Sequence, residues 1–448
     1  MTAAVALPFS RRTPTLARMK LLLLRLSVVL TLSSVSPLAR AQEPSPGLVV
    51  PPAAANADPA TATRAWLDTV PADKKQKSDA YFEGGYWLIL WNSLLGIAIS
   101  FALLNTRISA RLRDFAEART RIRALQVALY AIPYILLVQV LTFPLNLYEH
   151  FLREHAYGLA TQNFGAWFGE QLIALVVGVI GTTLLLIALY AVFRGAPRTW
   201  WIWGTGVVVV FFIFTAFIAP IYVEPLFNKY KPLTDPAISE PILTMAQANQ
   251  IPVKQVFEVD ASRQSNRISA NVAGFLGTTR IALNDNLLKQ CSLPEIRYVM
   301  SHEMGHYVLN HIYKIVINLS LLALIFFAVT RSAFDAMVRR WSERWRLRGI
   351  ADPAGLPLLG IILTTLALLA TPLTNTMTRV AEVEADAFGI NTSREPDGMA
   401  AVALKLGTYR KLDPTQLEEF FFFDHPSGRA RIRMAMDWKA AHLPAGEE

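Results

Sequence analysis

Cysteine is nearly absent from this chain of 448 residues, with Cys291 as its single representative. An intrachain disulfide and any metal site built from several cysteines are therefore excluded. Charged residues are also scarce, at 17% of the chain, whereas hydrophobic residues make up 53%. This composition is too apolar for a soluble globular protein of this size and indicates a membrane protein. No glycine-rich phosphate loop precedes a helical pattern.

Histidine is rare as well, with seven in the chain, yet two of them stand four residues apart in the motif HEMGH at 302–306. The imidazoles of His302 and His306 at this spacing lie on one helix face and can bind one metal ion. The carboxylate of Glu303 between them can reach a water molecule on that metal. This pattern is typical of zinc-dependent peptidases. The alternative interpretation is a helix whose histidines only form hydrogen bonds with neighbouring groups.

The residues around this motif predict that it lies on a helix. Ser292, Pro294 and Glu295 form a capping-box pattern with proline in the first turn, and apolar residues follow at helical spacing. The helical pattern continues through His311 into an apolar run at 315–330. We therefore expect a metal site at the edge of a membrane span.

A catalytic zinc ion requires a third protein ligand. Metzincins would have glycine and histidine where this chain has Leu309 and Ile312, so that subclass is excluded. His311 misses the required register by one residue and is interpreted as a side chain facing solvent or lipid headgroups. Glu382 is the better candidate, and Asp386 one helical turn further could orient a ligand histidine. A solvated, charged helix face is an equally good interpretation of this segment by itself.

Five sequence motifs between about residue 145 and about residue 435 resemble those of one known family. They are PLFNKY at 225–230, SANVAGF at 269–275 with TRIAL at 279–283, SHEMGH at 301–306, RVAEVEAD at 379–386, and HPS at 425–427 with RI at 431–432. In this order they resemble the membrane zinc metalloproteases of the CAAX prenyl protease type (type I), whose smaller bacterial relatives include the heat-shock protease HtpX.

This resemblance implies a role for each of seven residues and one Zn²⁺ per chain. It assigns zinc ligation to His302, His306 and Glu382, the catalytic carboxylate to Glu303, support of the site to Asp386, and the lining of the site near the scissile bond to His425 and Arg431. Without the resemblance, His425 would more simply be a loop histidine that precedes a proline, whereas the resemblance implies a catalytic residue that contacts the transition state.

Two short strand patterns precede the HEMGH motif. They cover residues 271–275 and 279–283 and predict a hairpin beside the zinc helix. An exposed edge of this hairpin could pair with an extended substrate backbone, although an ordinary structural hairpin is the alternative. The resemblance favours substrate binding by Asn271, Val272 and Ala273.

Six apolar segments have about the 20 residues that a bilayer crossing requires. They are residues 86–104, 124–144, 170–193, 199–222, 314–330 and 356–375. Asn92, Gln139 and Asn318 lie within them, and such groups either face a water-filled cavity or form hydrogen bonds between helices. The expected fold class is a predominantly α, polytopic membrane helix bundle of about six spans, with a gluzincin-type zinc domain that carries a small β-hairpin or sheet.

The N-terminal residues have the pattern of a secretory signal peptide. Basic residues precede an apolar run at 21–35, and Ala39 and Ala41 suit a cleavage site. We expect residues 1–41 to be removed, with an uncleaved signal anchor as the alternative, and residues 42–80 to form a disordered tether rich in alanine and proline. The other predicted domains are a four-span region at 81–222, a first zinc-domain part at 223–313, a two-span hairpin at 314–376 and a second zinc-domain part at 377–448.

Arginine is concentrated in three loops, which indicates the orientation of the chain. Loops 105–123, 194–198 and 331–354 fall on one side of a six-span chain, and the positive-inside rule places them in the cytoplasm. The zinc domain then faces the periplasm of a bacterial inner membrane, whereas eukaryotic members of the family have seven spans and a cytosolic zinc domain. Because these loops at the membrane account for the net charge of +9, a nucleic-acid partner is not expected.

These patterns predict an integral-membrane zinc-dependent endopeptidase that hydrolyses peptide bonds of peptides or membrane proteins. Its expected partners are such a substrate and the lipid bilayer. The alternative is a membrane scaffold or translocating cavity with a structural, non-catalytic zinc ion. Structural zinc usually has four protein ligands, but no fourth ligand is evident here and the carboxylate of Glu303 stands beside the other three.

Overall fold

The computed structural model of the protein describes residues 50–54, 57–274 and 279–443. The expected signal peptide at 1–41 lies outside the described residues. The helices of the described part, with short π or 3₁₀ turns included in α4, α6 and α11, are α1 (Pro59–Leu67), α2 (Ala72–Asn105), α3 (Ile108–Arg119), α4 (Arg123–Ala156), α5 (Phe164–Gly195), α6 (Trp200–Leu226), α7 (Pro236–Ala248), α8 (Asp285–Gln290), α9 (Leu293–Val308), α10 (His311–Trp345), α11 (Pro353–Ser393), α12 (Pro396–Leu406), α13 (Gln416–Phe422) and α14 (Gly428–His442).

Six of these helices, α2, α4, α5, α6, α10 and α11, are long and apolar enough to cross a membrane. The prediction of six spans is therefore confirmed, and each helix extends beyond the segment predicted from apolar residues alone. Their outward faces are apolar: Val140, Val210 and Leu369 are 69%, 67% and 73% exposed. Only lipid makes such exposure favourable, because a helix in a bilayer satisfies its backbone hydrogen bonds internally and presents apolar side chains to the acyl chains.

Polar side chains within the spans form hydrogen bonds between helices. The amide nitrogen Nδ2 of Asn92 in α2 donates to Oε2 of Glu149 in α4 at 2.7 Å. Of the two alternatives given for Asn92, a water-filled cavity or a hydrogen bond between helices, this contact agrees with the second.

The expectation of a disordered tether at 42–80 is wrong for its second half. Helix α1 begins after Asp58, whose carboxylate accepts hydrogen bonds from the backbone amides of Ala60 and Thr61. Trp66 at its end is fully buried, in the same apolar core as Ile432 of α14. The alanine and proline content conceals a capped helix, and the burial of Trp66 and Ala62 in the core contributes to offsetting the entropy of ordering it.

A four-stranded sheet follows the first four spans. Its strands are β1 (Tyr230–Pro232), β2 (Val256–Val259), β3 (Ala270–Ala273) and β4 (Arg280–Asn284), in the order β1-β2-β4-β3. The pair β2 and β4 is parallel, whereas β1 pairs with β2 and β3 pairs with β4 in antiparallel fashion. The predicted antiparallel pair is confirmed, and it lies at the edge of the sheet because β3 is an outer strand.

Helices α9 and α11 approach each other at backbone distance. A Cβ atom at Gly389 of α11 would lie 3.1 Å from the backbone nitrogen of His302, and one at Gly305 of α9 would lie 3.3 Å from Cα of Ala385. A larger residue at either position would therefore have to push the two helices slightly apart. The approach brings the HEMGH motif directly against the segment that contains Glu382.

Candidate metal centre and active site

The HEMGH motif lies on α9, which begins where the capping box predicts. The backbone amide of Ser292 donates to Oε2 of Glu295 at 2.7 Å, and Pro294 stands in the first turn. The helix does not run on through His311 as the pattern indicated, because Asn310 has a left-handed conformation with φ of 57° and separates α9 from α10. Asparagine adopts this conformation more readily than most residues, so a sharp turn forms here.

Three potential ligand atoms converge at this position. The Nε2 atoms of His302 and His306 are 3.1 Å apart, and each lies 3.4 Å from a carboxylate oxygen of Glu382. Tetrahedral zinc with ligands at about 2.0–2.1 Å separates its ligand atoms by roughly 3.3–3.4 Å. The two nitrogens and the carboxylate are therefore spaced as ligands of one zinc ion would be, with Oε2 of Glu382 next to His302 and Oε1 next to His306. Within the described residues, these three side chains form a group able to hold a metal ion.

The second nitrogen of His302 faces a fully buried carboxylate. Its Nδ1 lies 2.8 Å from Oδ1 of Asp386, which also accepts a hydrogen bond from the hydroxyl of Tyr298. Burial disfavours the charged imidazole, but the carboxylates of Asp386 and Glu382 outweigh it and raise the pKa of His302 to about 10. The contact places Asp386 where it can orient the ring of His302.

Arg431 lies behind the two carboxylates. Its Nη2 donates to Glu382 at 2.9 Å and its Nε to Asp386 at 2.8 Å. Burial opposes its charge, but the neighbouring Asp386 carboxylate holds the pKa of Arg431 above its ordinary value. The side chain also lines the cavity of the site, so the predicted contact with substrate stays a prediction.

His306 is held from its other side by a histidine that sequence analysis misinterpreted. Nδ1 of His306 lies 2.8 Å from Nδ1 of His311, whose Nε2 lies 3.0 Å from Glu384. His311 is 1% exposed, so its assignment to solvent or headgroups was wrong. The turn at Asn310 directs the side chain back towards His306, and linear spacing does not reveal such a reversal.

Glu303 lines a cavity of about 280 Å³ together with the three potential ligands. No hydrogen bond among the described residues involves its carboxylate, and burial raises its pKa above the ordinary value. His425 also lines this cavity, with Nε2 at 3.4 Å from Glu382 and Nδ1 at 2.7 Å from Asp424. The structure thus brings His425 next to the convergent ligand atoms.

The edge strand β3 runs beside the same cavity, to which Ala270 contributes. Val272 and Ala273 are half-buried, and Oδ1 of Asn271 is buried without a hydrogen-bond partner. A substrate backbone at this edge would supply the hydrogen-bonding groups that an outer strand lacks.

Arg410 also lines the cavity, and sequence analysis did not identify it. The ion pairs and hydrogen bonds of the described part of the chain do not include its half-buried guanidinium, and burial lowers its pKa. The segment around it carries no motif, so only the folded chain shows that this arginine faces the site.

We expect replacement of Arg431 by alanine to destabilise the protein by about 3–5 kcal/mol, because Glu382 and Asp386 would remain buried without their cation. Arg433→Ala on the same helix is the matched control. Arg433 is half-exposed and pairs only with Asp437, so its loss should change the free energy of unfolding by less than about 1 kcal/mol. Unfolding in detergent of the two variants measures the difference, and equal stabilities would contradict the assigned role of Arg431.

Comparison with known proteins shows the family to which this chain is similar. Residues 232–439 match the sequence model of Peptidase family M48, and residues 57–229 match that of the CAAX prenyl protease N-terminal region with five membrane helices. An uncharacterized metalloprotease, YhfN of Bacillus subtilis (strain 168), is 30% identical over 75% of this chain and 79% of its own length. A CAAX prenyl protease 1 homolog of Arabidopsis thaliana is 28% identical over 66% of this chain and 70% of its own.

The fold is similar to that of a solved structure. The crystal structure of S. mikatae Ste24p superposes with a TM-score of 0.69, covering 83% of this chain and 90% of that chain at 21% identity. The fold class, a polytopic membrane helix bundle with a small sheet, is therefore confirmed. Together with the two family matches, these similarities show that the chain belongs to peptidase family M48 and is an integral-membrane metalloendopeptidase of the CAAX protease type.

Proposed function

We propose that His302, His306 and Glu382 bind a single zinc ion and that Glu303 is the catalytic base of peptide-bond hydrolysis. The observation that carries this proposal is the convergence of the three side chains: the two Nε2 atoms are 3.1 Å apart, Oε2 of Glu382 lies 3.4 Å from His302, and Oε1 of Glu382 lies 3.4 Å from His306. These spacings are close to those between the ligand atoms of one zinc ion. Zinc bound there would polarise the scissile carbonyl and lower the pKa of a water molecule at its open position. No observation favours a purely structural metal.

The environment of Glu303 suits a proton carrier. Its carboxylate borders the cavity beside both histidines and has no hydrogen-bond partner among the described residues, so it is free to accept a proton from water. The raised pKa makes the carboxylate a better base than an exposed glutamate. The same proton can then pass to the leaving amine.

His425 and β3 provide the remaining parts of the site. Asp424 fixes the ring of His425 through Nδ1, and Nε2 faces Glu382, from which position it can donate to the oxyanion of the transition state. Asn271, Val272 and Ala273 would pair with an extended substrate backbone along the free edge of β3. We infer that the main role of Arg431 is to hold Glu382 and Asp386 in place. Its contact with the substrate would be limited to the part of its side chain that lines the cavity.

Glu303→Gln should retain zinc but lower kcat by at least about a hundredfold, since an amide cannot carry the proton. Metal content of purified protein and hydrolysis of an unfolded protein substrate in detergent measure the two effects. Glu382→Ala is the companion variant, and it should lose zinc as well as activity. Unchanged hydrolysis by Glu303→Gln, or undiminished zinc in Glu382→Ala, would remove that residue from its proposed role.

Arg410 is expected to bind a carboxylate of the substrate, because its guanidinium faces the cavity without an acidic partner. A hydrogen bond between charged groups contributes about 1.5–3 kcal/mol, so Arg410→Gln should raise KM at least about tenfold for a peptide with a free C-terminal carboxylate. The same peptide with a C-terminal amide should show little change. Arg433→Gln, outside the cavity, is the control, and an equal loss with both peptides would contradict substrate binding by Arg410.

We further propose that the metal centre faces the periplasm of a bacterial inner membrane. The arginine-rich loops meet at one end of the spans, where Arg107 donates to the carbonyl of Arg344 and Arg113 pairs with Asp352. The positive-inside rule places that end in the cytoplasm. The HEMGH helix adjoins the opposite end, since α10 begins next to it at His311.

Labelling of intact cells with a membrane-impermeant maleimide tests this orientation. In a Cys291→Ser background, Lys254→Cys in the metal-binding domain should react, whereas Arg121→Cys in the arginine-rich loop should react only after lysis. Both positions are exposed, so their accessibility differs only through the membrane. The reverse pattern would place the active site in the cytoplasm.

A further inference from the structure

A second polar cavity, of about 300 Å³, lies at the end of the membrane bundle opposite to the metal centre. Its walls come from α3, from the start of α4, from the end of α5 and from the loop that precedes α11. The charged side chains that line it are Arg113, Glu117, Arg123, Arg194, Arg348 and Asp352. Four cations and two anions therefore face one small volume.

The floor of this cavity is neutralised by ion pairs within the protein. Nη1 of Arg113 lies 2.6 Å from Asp352, and both side chains are almost completely buried. Arg113 also contacts Asp114 at 2.8 Å, and Arg348 lies 2.7 Å from Glu117. These two arginines are therefore compensated by carboxylates of the chain.

The other two arginines, Arg123 and Arg194, have no such compensation. The ion pairs of the described part of the chain include neither of them, and Arg123 has one long contact of 3.4 Å with the side-chain oxygen of Gln126. Two like charges beside one cavity repel each other, and an anion between them would remove that repulsion. Guanidinium groups suit a phosphate in particular, since each can donate two parallel hydrogen bonds to its oxygens.

The position of Arg123 and Arg194 at the ends of membrane-spanning helices indicates that the phosphate belongs to a lipid headgroup. Arg123 is the first residue of the spanning helix α4, and Arg194 lies in the last turn of the spanning helix α5. Both therefore stand at the depth where spans end and headgroups begin. Ile122 and Leu125 next to Arg123 are 60% and 49% exposed, so an apolar surface for acyl chains adjoins the cavity.

We propose that this cavity is a binding site for an anionic phospholipid, whose headgroup phosphate is held by Arg123 and Arg194. The acyl chains lie along the exposed apolar faces of α4 and α5. Basic pockets between membrane helices are suited to such headgroups. Each arginine that donates a hydrogen bond to the phosphate itself contributes about a tenfold factor or more in affinity. The site is separate from the metal centre and does not depend on its chemistry.

Native mass spectrometry tests this site by measuring which lipid the full-length protein retains. The protein is released from nanodiscs that contain equal parts of phosphatidylglycerol and phosphatidylcholine. The wild type should retain phosphatidylglycerol selectively. Arg123→Gln with Arg194→Gln should lower that retention at least about tenfold. The charge-matched control is Arg121→Gln with Arg339→Gln, which removes two exposed arginines that do not line the cavity and should leave retention within about twofold of the wild type.

Equal losses in the two double variants would show diffuse surface attraction and overturn the proposal, as would unchanged retention in both. Arg123→Lys with Arg194→Lys keeps the charges and should retain most of the lipid, which separates binding from misfolding of the glutamine variant. Inorganic phosphate supplies the last control. If millimolar phosphate binds to the wild type but phosphatidylglycerol does not, the cavity is a site for free phosphate and the lipid assignment is wrong.

Discussion

The contact between α9 and α11 is the constraint on which the active site depends. Imidazole and carboxylate side chains are short, so two helices far apart in the chain must meet almost backbone to backbone before their ligand atoms can share one ion. Gly305 and Gly389 permit this approach, and the close backbone contact of His302 shows that no larger residue would fit at 389 without displacement. The proposed metal site therefore depends on the two glycines, which allow the helices to approach, as well as on its ligand side chains.

Charge balance explains the groups that surround the ligands. Glu303, Glu382 and Asp386 place three carboxylates at the cavity, where Arg431 and Arg410 supply two permanent positive charges. The metal ion that we propose would add the positive charge that this group of carboxylates still lacks. Because isolated buried charges are very unfavourable, metal binding and the stability of this domain are coupled.

Much of the fold could be predicted because its signals are local. The capping box at Ser292, the spacing of the two histidines, the six apolar runs and the paired strands each occupy a short stretch of chain and follow from periodicity and helix geometry. The features that were missed depend on distant contacts instead. Trp66 is ordered only because α14 covers it, and His311 is buried only because Asn310 reverses the chain. Arg410 likewise is recognised as a residue of the site only because it lines the same cavity as the candidate ligands, and sequence spacing does not reveal this.

The architecture also restricts what the enzyme can cleave. The cavity at the metal centre holds about 280 Å³, which is below the usual size of a site for a small drug-like molecule and far too small for a folded domain. Only a few residues in extended conformation fit, and β3 offers them an unpaired strand edge on the same side. Since the HEMGH helix adjoins the membrane-spanning helix α10, such a segment must also reach the membrane surface. We therefore propose flexible termini or unfolded loops of membrane proteins as substrates, because they would satisfy both conditions, whereas a compact folded protein would not enter the cavity.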